Sequence, residues 1–256
     1  GAKRERNPED QKIDEINVDA KMSAAPQIVL TYLDARMLAE PVRLALWVGE
    51  IPFEDERIGY EEVARRRAAG LLPFGQVPVL SVDGAKYSQS LALLRWAGKK
   101  GGLLPAELEL RCDAIEAALT DIRTLMRPLW YKNVLGRHPA TGSATDAAVV
   151  PLTDDQVTAV TKSLNEDILP LRFEALDAAV AGDFFCGSQL TICDLSWYCI
   201  HLGLLEGWYC AAVDPAALDG CPKLLAVAKA VHNHPRVQRW NADHGYATPP
   251  AFSSSS

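Results

Sequence analysis

The first strand and the turn of a β-hairpin are predicted within the segment Leu72-Pro73-Phe74-Gly75-Gln76-Val77-Pro78-Val79-Leu80-Ser81-Val82-Asp83-Gly84. The apolar run at residues 79–82 has the length and β-branched content of a short strand, and the Asp-Gly pair that follows is a strong hairpin-turn signal. The second strand is expected over residues 85–88. Pro78 stands directly before the first strand, where a proline removes no hydrogen bond from the ladder.

The peptide bond between Val77 and Pro78 has two possible geometries. A cis bond turns the backbone N–H and C=O of Val77 outward, where they are free to pair with an extended peptide. Only about 5–6% of the bonds before proline are cis in folded proteins. Taken alone, these residues therefore favour an ordinary proline at the start of a strand.

The residues around this bond favour a different interpretation, because the block as a whole resembles the cytosolic glutathione transferases. The resemblance extends over about residues 27–246 and implies a cis bond ahead of Pro78. It also implies that the backbone of Val77 pairs with the cysteinyl part of glutathione, while Gln89 and Ser90 hold the γ-glutamyl end. It is carried by Gln76-Val77-Pro78-Val79-Leu80, by Asp83-Gly84, and by Ser88-Gln89-Ser90 leading into Leu91-Ala92-Leu93-Leu94-Arg95-Trp96.

The N-terminal half of the chain has the pattern of a small α/β domain. Residues 27–33 and 51–58 are expected to form parallel strands connected by a helix at 39–48, in which a proline fits the first turn. With the hairpin and one further helix, they complete a thioredoxin-like βαβ-ββα domain over residues 27–103. Residues 1–26 are polar and charged, and are expected to form a flexible N-terminal extension.

An all-helical domain is expected over residues 104–246, followed by a C-terminal tail at 247–256. Between two of its helices, residues 137–152 have the composition of a mobile loop. The first helix is indicated by an apolar stripe with spacings of three and four residues. This stripe consists of Leu108, Cys112, Ile115, Leu119, Ile122, Met126 and Leu129.

Three further helices of this domain are predicted from their first residues. A capping box at residues 153–156 opens a helix that is expected to continue to Leu171. Thr191 and Asp194 cap a second, apolar helix. A proline-started helix begins near Cys221 and is expected to end near Pro235.

Charge and composition exclude several partners. The chain has 256 residues, a net charge of −7 and 48% hydrophobic residues, which is ordinary for a soluble globular protein and argues against a general nucleic-acid binder. No apolar run reaches membrane-spanning length. We therefore expect neither nucleic acid nor membrane as a partner.

The cysteines indicate the compartment and exclude one kind of chemistry. All six lie at positions 112, 186, 193, 199, 210 and 221, without metal-type spacing, so no metal is expected. Cys193 and Cys199 are predicted to be buried thiols, and a reduced, cytoplasmic location is favoured. Redox members of the thioredoxin-like group need a thiol at the start of the first helix, and this chain has none there.

Tyr32 ends the first predicted strand, where an aromatic side chain usually just packs on its neighbours. The resemblance implies a catalytic role instead, in which the hydroxyl donates a hydrogen bond to the glutathione sulfur. A free thiol has a pKa near ~8.5, and lowering it by roughly two units needs about 2.7 kcal/mol. One hydrogen bond to a charged acceptor supplies roughly 1.5–3 kcal/mol, so a tyrosine is sufficient.

The other glutathione ligands also follow from the resemblance, and each has a structural alternative. Ser90 could be a simple helix cap. Arg67, or its neighbours Arg65 and Arg66, could be a solvated basic run rather than a ligand of the glycyl carboxylate. Asp113 could merely favour its helix dipole, whereas an aspartate there reaches across a dimer in the resembling family. The predicted glutathione ligands are Tyr32, Leu38, Arg67, Gln76, Val77, Pro78, Gln89, Ser90 and Asp113.

The chain looks closest to the sigma class, which includes the glutathione-dependent prostaglandin D synthases. It departs from that class at Leu38, where the class has a second loop arginine, and at Val63, where a tryptophan is expected. The first departure weakens the expected thiol activation, and the second removes one contact on the glycyl side of glutathione. The predicted electrophile pocket is apolar and is lined by Leu33, Met37, Met126 and Trp130, although methionine and aromatic residues at helical spacing are more often core residues.

Two functions remain open from the sequence. The first is an enzyme that conjugates the glutathione thiolate, as co-substrate, to small apolar electrophiles and acts as a homodimer. The second is a noncatalytic or weakly catalytic protein of the same fold that binds apolar ligands, or a glutathione-dependent isomerase. The retention of Tyr32, Gln89, Ser90 and Asp113 favours the enzyme, and the changes at Leu38 and Val63 favour its alternative.

Overall fold

The computed structural model describes residues 27–133, 153–207 and 213–249 together with Phe252. The predicted N-terminal extension, the predicted loop at 137–152 and most of the predicted C-terminal tail lie outside these ranges. In chain order the main elements are β1 (Ile28–Leu33), α1 (Glu40–Val48), β2 (Glu54–Ile58), α2 (Tyr60–Ala68), β3 (Val79–Val82), β4 (Ala85–Ser88), α3 (Ser90–Lys100), α4 (Glu109–Asn133), α5 (Asp154–Ser163), α6 (Leu169–Ala179), α7 (Ile192–Leu205), α8 (Pro222–Asn233) and α9 (Pro235–Asp243).

The four described strands form one mixed sheet in the order β2-β1-β3-β4. Strands β1 and β2 are parallel, and β3 is antiparallel to both β1 and β4. Asp83 and Gly84, with φ of 51° and 85°, make the tight turn between β3 and β4. The predicted crossover and hairpin are therefore confirmed, and the fold is the expected thioredoxin-like unit followed by helices.

Helix α2 was not predicted from the sequence. It has the sequence YEEVARRRA, and Val63 is its only fully buried side chain. One buried residue gives no apolar periodicity, so the pattern that reveals other helices is missing here. The helix is instead stabilised by charge pairs along its surface, such as Arg65 with Glu62 at 2.6 Å.

The long predicted helix of the second half is confirmed as α4, which buries its apolar stripe from Cys112 to Leu129. The next helix was predicted to continue without a break from the capping box at 153–156 to Leu171, and this prediction is wrong. A π-helical segment, Leu164–Ile168, separates α5 from α6, and Leu171 is 66% exposed. Pro170 explains the break, because proline lacks the N–H that would continue the preceding turn.

The caps of two helices agree with the sequence. The Thr153 hydroxyl accepts from the backbone N–H of Gln156, and the Gln156 side chain accepts in return. Asp194, fully buried, accepts from the backbone N–H and the hydroxyl of Thr191, each at 2.7 Å. The last helix was missed: α9 begins at Pro235, immediately after α8, so the proline that ends one helix also starts the next.

Several polar contacts join the N-terminal unit to the helices of the second half, among them the following. The Trp240 indole donates to Glu40 at 2.8 Å, and the Trp47 indole donates to the backbone carbonyl of Arg236 at 2.8 Å. Arg36 pairs with Glu206 at 3.0 Å. These contacts hold α1 and the loop before it against α7 and α9.

The expectation of a frayed end is wrong for Phe252, which is only 6% exposed. Its ring stacks on His232 at 4.7 Å and lies 5.4 Å from His201. In the part of the chain that is described, no helix is both long and apolar enough to cross a membrane.

Candidate active site

The sheet register brings three predicted site segments to one end of the sheet. Thr31 pairs with Val79 between β1 and β3, and Val79 pairs with Ser88 between β3 and β4. Tyr32 follows Thr31, Pro78 and Val77 precede Val79, and Gln89 and Ser90 follow Ser88, so all of them extend from the same end of these three strands. Thr31 and Ser88, on either side of Val79, bring together parts of the chain that are far apart in the sequence.

The bond between Val77 and Pro78 is cis, as the resemblance implied. Pro78 is buried and Val77 is half-buried. Among the hydrogen bonds given by the described residues, none involves the backbone N–H or C=O of Val77. Among the described residues, the chain just before β3 thus has one unpaired backbone donor and one unpaired acceptor at Val77, as an extended peptide ligand requires.

Gln89 and Ser90 lie where the hairpin passes into α3. Gln89 is exposed, with φ of 77° and ψ of 100°, and Ser90 is the first residue of the helix. A non-glycine residue with positive φ is strained, and such residues concentrate at ligand sites. The first backbone N–H groups of the helix have no partner within the helix, so this end of α3 favours a carboxylate.

Two other strained residues flank the same region. Met37 has φ of 41° and Phe74 has φ of 53°. Phe74 is 79% exposed next to the residues that precede Pro78. Met37, Phe74 and Gln89 are thus three non-glycine residues with positive φ in the segments that carry the predicted site.

The structure separates the three arginines of α2, which the sequence left as alternatives. Arg65 and Arg66 both bind Glu62, and these hydrogen bonds lower the pKa of Glu62 to about 2. Arg66 also binds Glu56 at 2.6 Å. Both guanidinium groups are thus committed to carboxylates of the protein.

Arg67 differs from its two neighbours. Its Nε donates to the backbone carbonyl of Gly75 at 2.6 Å, and no carboxylate of the described residues pairs with it. The side chain is exposed, like that of the neighbouring Gln76. A guanidinium with free N–H groups therefore lies directly before Val77, at the opposite end of the segment from Ser90.

Tyr32 is almost completely buried, with 4% of its surface exposed. Its ring belongs to the hydrophobic core, and the guanidinium carbon of Arg43 lies 5.8 Å from the ring centroid. The strand-end packing that the sequence allowed as an alternative is thus present. Burial by itself does not exclude a catalytic role, because buried tyrosine hydroxyls retain a polar tip at the edge of an apolar body.

The loop after Tyr32 contains Arg36 and Leu38, and the resemblance put the second of these in doubt. Arg36 pairs with Glu206, and its guanidinium lies 3.7 Å from the centroid of the Tyr246 ring. Leu38 is 39% exposed. Arg36 is therefore engaged with the second half of the chain, and the position of the missing loop arginine is an open apolar surface.

Asp113 has a partner within its own chain. Its carboxylate forms an ion pair with Arg95 of α3, and 40% of its side-chain surface remains exposed. The same arginine also binds Glu109. Asp113 is thus placed beside the helix that Ser90 begins, with part of its surface still able to meet a ligand.

The predicted electrophile pocket is only partly brought together. Leu33 and Met37 are half-buried at the edge of the core. Met126 is 0% exposed and belongs to the core, so it lines no open pocket in this structure. The side chain of Trp130 lies outside the described residues.

Two cavities occur elsewhere in the described part of the chain. One, of about 690 Å³, lies around α5 and α6, and the other, of about 400 Å³, lies beside Arg111. Neither is lined by any of the predicted ligands.

Sequence reasoning missed one buried acid, Glu116 of α4. It is completely buried, with no ordinary hydrogen bond to either carboxylate oxygen from the described residues, and Arg123 lies 3.7 Å away. Burial raises the pKa of Glu116 to about 7. The i+4 spacing from Cys112 on the apolar stripe was the available signal, because it places a charge on the buried face.

We expect Glu116→Gln to stabilise the protein at alkaline pH. A raised pKa in the folded state means that the unfolded chain loses its proton first, so the free energy of unfolding falls as pH rises from about 4.5 to about 7. The stability difference between the variant and the wild type should therefore grow by on the order of 2–3 kcal/mol between pH 5 and pH 8. Urea unfolding at both pH values measures it.

Glu107→Gln is the matched control for this prediction, because Glu107 is exposed just before α4. Its substitution should change the free energy of unfolding equally at both pH values. If the difference in the free energy of unfolding between Glu116→Gln and the wild type does not change with pH, the carboxylate of Glu116 is not a buried charge that destabilises the folded state.

The C-terminal part of the chain matches a known family. Residues 145–244 match the family model described as glutathione S-transferase, C-terminal domain. Glutathione S-transferase 4 of Caenorhabditis elegans is 40% identical over 35% of this chain and 44% of that protein. Glutathione S-transferase 1 of Ascaris suum is 28% identical over 85% of this chain and 97% of that protein.

Other similar proteins extend this picture. S-crystallin SL20-1 of Nototodarus sloanii is 27% identical over 83% of this chain and 94% of that protein. Among solved structures, prostaglandin synthase D of Nilaparvata lugens has a TM-score of 0.67 and 24% identity, covering 85% of this chain and 98% of its own. Monomeric Na-GST-3 of Necator americanus has a TM-score of 0.67 and 24% identity, covering 85% of this chain and 97% of its own.

These findings define the fold class and support one family. At 24% identity the structural likeness shows the glutathione S-transferase fold. The matches of higher identity span about half the length of the curated relatives, for example 44% of the C. elegans protein. The family model and the named relatives show that this chain is similar to glutathione S-transferases.

Proposed function

We propose that this protein is a glutathione transferase that conjugates the thiolate of glutathione to small apolar electrophiles. Tyr32 is the catalytic residue, and it donates a hydrogen bond to the sulfur without becoming a nucleophile itself. A phenol has an ordinary pKa near ~10, so it keeps its proton where a bound thiol loses it. The finer assignment to the sigma class is part of this proposal.

The pairing of β1, β3 and β4 supports the proposal, because the strand ends next to Tyr32, Val77 and Ser90 meet at one end of the sheet. A tripeptide extended along this edge meets an unpaired backbone at Val77 in its middle. Its two carboxylates then have one cationic partner each, the guanidinium of Arg67 at one end and the N-terminus of α3 at the other. A ligand with a charged group at both ends and a peptide backbone between them uses all three of these groups.

The remaining predicted ligands complete the site in this proposal. Gln76 and Gln89 are both exposed and supply amide groups on either side of Val77. Pro78 fixes the backbone, and Leu38 contributes an apolar surface at the mouth. Leu33 and Met37 form the near wall of the electrophile site, with Trp130 as a further candidate. Glutathione is the co-substrate, and the reaction needs no metal.

Arg67→Ala should weaken glutathione binding by roughly 10- to 100-fold, because a charge-assisted hydrogen bond to a carboxylate contributes about 1.5–3 kcal/mol. Isothermal titration with glutathione measures this loss directly. The effect does not depend on the choice of electrophile, so it tests the binding site before any turnover is known.

Arg65→Ala is the matched control, since it removes the same charge from the same helix. Arg65 is exposed and pairs only with Glu62 among the described residues. Its loss should leave the affinity for glutathione within about twofold, as expected for an exposed pair. Equal losses of affinity in the two variants contradict a ligand role for Arg67.

The alternative is a noncatalytic or weakly catalytic protein that binds apolar ligands, or a glutathione-dependent isomerase. The similarity to an S-crystallin, the burial of Tyr32 and the exposed Leu38 favour it. Turnover of 1-chloro-2,4-dinitrobenzene distinguishes the two. A protein that binds glutathione-agarose but does not accelerate conjugation is the noncatalytic form.

A homodimer in the cytoplasm belongs to the same proposal. Phe74 is 79% exposed, Tyr87 56% and Leu71 45%, and these apolar surfaces lie on the loop before β3 and on the edge strand β4. An unpaired edge strand with exposed apolar side chains is a surface that a second subunit covers. The monomeric Na-GST-3 neighbour makes sedimentation velocity the necessary measurement.

A further inference from the structure

Three cysteine sulfurs converge at one point of the second half, far apart in sequence. The Sγ atoms of Cys112, Cys186 and Cys193 all lie within 4.8 Å of one another. Those of Cys112 and Cys186 are 3.6 Å apart, and Cys193 lies 3.3 Å from the backbone carbonyl of Cys112. None of the three is in a disulfide. Neither the resemblance nor the proposed transfer reaction uses them.

The short segment between α6 and α7 that carries Cys186 is held on both sides. The carboxylate of Asp194 accepts from the backbone N–H of Phe185 at 2.8 Å. Arg111 of α4 donates to the backbone carbonyl of the same Phe185, at 3.1 Å from Nη2. A bridge between Phe184 and Gly187 closes the turn. The segment therefore fixes Cys186 against α4 and α7 before any ligand arrives.

The close approach of backbone within this segment explains its glycines. A Cβ added to Gly182 would lie 2.8 Å from the carbonyl oxygen of Gly187, and Gly187 itself has φ of 112°. Larger residues at either position would push the turn apart. Cys186 can then keep its sulfur beside that of Cys112 only because both positions are glycine.

The distances suit a metal ion bound by sulfur. Ligands about 2.3 Å from a metal lie about 3.8 Å from one another in a tetrahedral arrangement, and slightly further apart in a trigonal one. The observed separations, 3.6 Å for one pair and at most 4.8 Å for all, include these values. Small shifts of the three side chains would therefore place the sulfurs around one ion.

We propose that Cys112, Cys186 and Cys193 form a three-coordinate site for Cu(I). Soft thiolate ligands select Cu(I) or zinc. Structural zinc sites almost always have four protein ligands, and no fourth His, Cys, Asp or Glu ligand joins the three sulfurs among the described residues. An ion that accepts three sulfur ligands fits the cluster better than one that requires four.

Binding is an exchange of protons for the metal, with no change in oxidation state. Each thiol that coordinates the ion loses its S–H proton to solvent, and a Cu–S bond replaces the S–H bond. Cys186 is half-buried, whereas Cys112 and Cys193 are buried, so the ion enters past Cys186. The guanidinium of Arg111, bound one residue away at Phe185, offsets part of the negative charge of the thiolates.

The test is a titration of the full-length, reduced protein with Cu(I) under nitrogen, in competition with a chromophoric Cu(I) chelator and without glutathione. One ion should bind per chain, and X-ray absorption should show three sulfur ligands. Cys186→Ser should weaken binding by more than the roughly 10- to 100-fold that is typical for the loss of an outer-shell partner.

Cys221→Ser is the matched control, because Cys221 is a buried free cysteine outside the cluster. It should leave the Cu(I) affinity unchanged. Glutathione titration of each variant verifies that it is folded, and the spectrum of the wild-type protein remains decisive if a variant does not fold. Equal Cu(I) affinity in the Cys186 and Cys221 variants overturns the proposal. So does an X-ray absorption spectrum with only two sulfur ligands, or a protein that binds zinc in preference to Cu(I).

Discussion

Replacing Tyr32 by phenylalanine should lower kcat/KM for conjugation of glutathione to 1-chloro-2,4-dinitrobenzene by roughly 10- to 100-fold. The change deletes one oxygen from a side chain that is 4% exposed, so the ring keeps its packing. What it removes is the hydrogen bond to a thiolate, which contributes about 1.5–3 kcal/mol. Each 1.36 kcal/mol corresponds to a tenfold change in rate.

The pH dependence of the rate separates this role from a structural one. With the hydroxyl present, the bound thiol should ionise roughly one to two pH units below its ordinary pKa near ~8.5. In Tyr32→Phe the rising limb of the rate profile should move up by the same amount, while glutathione affinity changes little. A merely structural tyrosine would not move this limb.

Tyr87→Phe provides the control for Tyr32→Phe, because it makes the same chemical change at a tyrosine that is 56% exposed on β4. Its rate and pH profile should equal those of the wild type. Wild-type kinetics in Tyr32→Phe, with an unmoved pH profile, remove Tyr32 from the mechanism and leave the ligand-binding alternative.

Replacing Arg43 by methionine should reduce the free energy of unfolding by about 3–5 kcal/mol, because removing one partner of a buried pair leaves a buried charge uncompensated. Arg43 is 0% exposed and pairs with Glu40 at 3.2 Å and with Asp55 at 2.9 Å. It also donates to the backbone carbonyl of Ala35 at 2.7 Å, in the loop that follows Tyr32. Urea unfolding measures the loss.

Arg239→Met is the control for Arg43→Met, since Arg239 is exposed and pairs with Asp243 one helical turn away. Its loss should change the free energy of unfolding by no more than about 0.5 kcal/mol. If Arg43→Met proves too unstable to purify, Asp55→Asn removes one partner from the same cluster and should still destabilise by more than the control. Equal effects at Arg43 and Arg239 contradict the buried pair.

The sequence predicted the parts of this fold that depend on neighbours in the chain. The Asp83-Gly84 turn, the apolar stripe of α4 and the two helix caps each depend on residues within about one turn of one another, so their spacing is visible in a single sequence. The same local signal failed where charge pairs replaced apolar periodicity, as in α2. It also failed near Pro170, where the apolar spacing predicts one continuous helix but the structure has two helices with a break between them.

The sequence predicted which residues belong to the candidate site, but it predicted only part of the contacts that these residues make. Resemblance supplied Val77, Gln89 and Ser90, and the register places them at one end of the sheet. It could not choose among the arginines of α2, because that choice depends on Glu56, a residue of a neighbouring strand. Nor could it show the burial of Tyr32, which belongs to a hydrophobic cluster made by residues from both halves of the chain.

The cysteine cluster is the clearest example of information that spacing does not contain. Cys112 and Cys186 are 74 residues apart, and Cys193 is 81 residues from Cys112. Metal sites are recognised in sequences when at least two ligands are close neighbours. Here each ligand comes from a different element, so only the packing of α4 against α7 brings them together.

The hydrogen bond between Trp240 and Glu40 joins positions that are 200 residues apart. During synthesis on the ribosome, the first half of the chain emerges long before its partner indole has been translated. Until α9 has been translated, Glu40 lacks the indole partner that it has in the folded chain. The contact between α1 and α9 can therefore form only after the whole N-terminal unit has been synthesised.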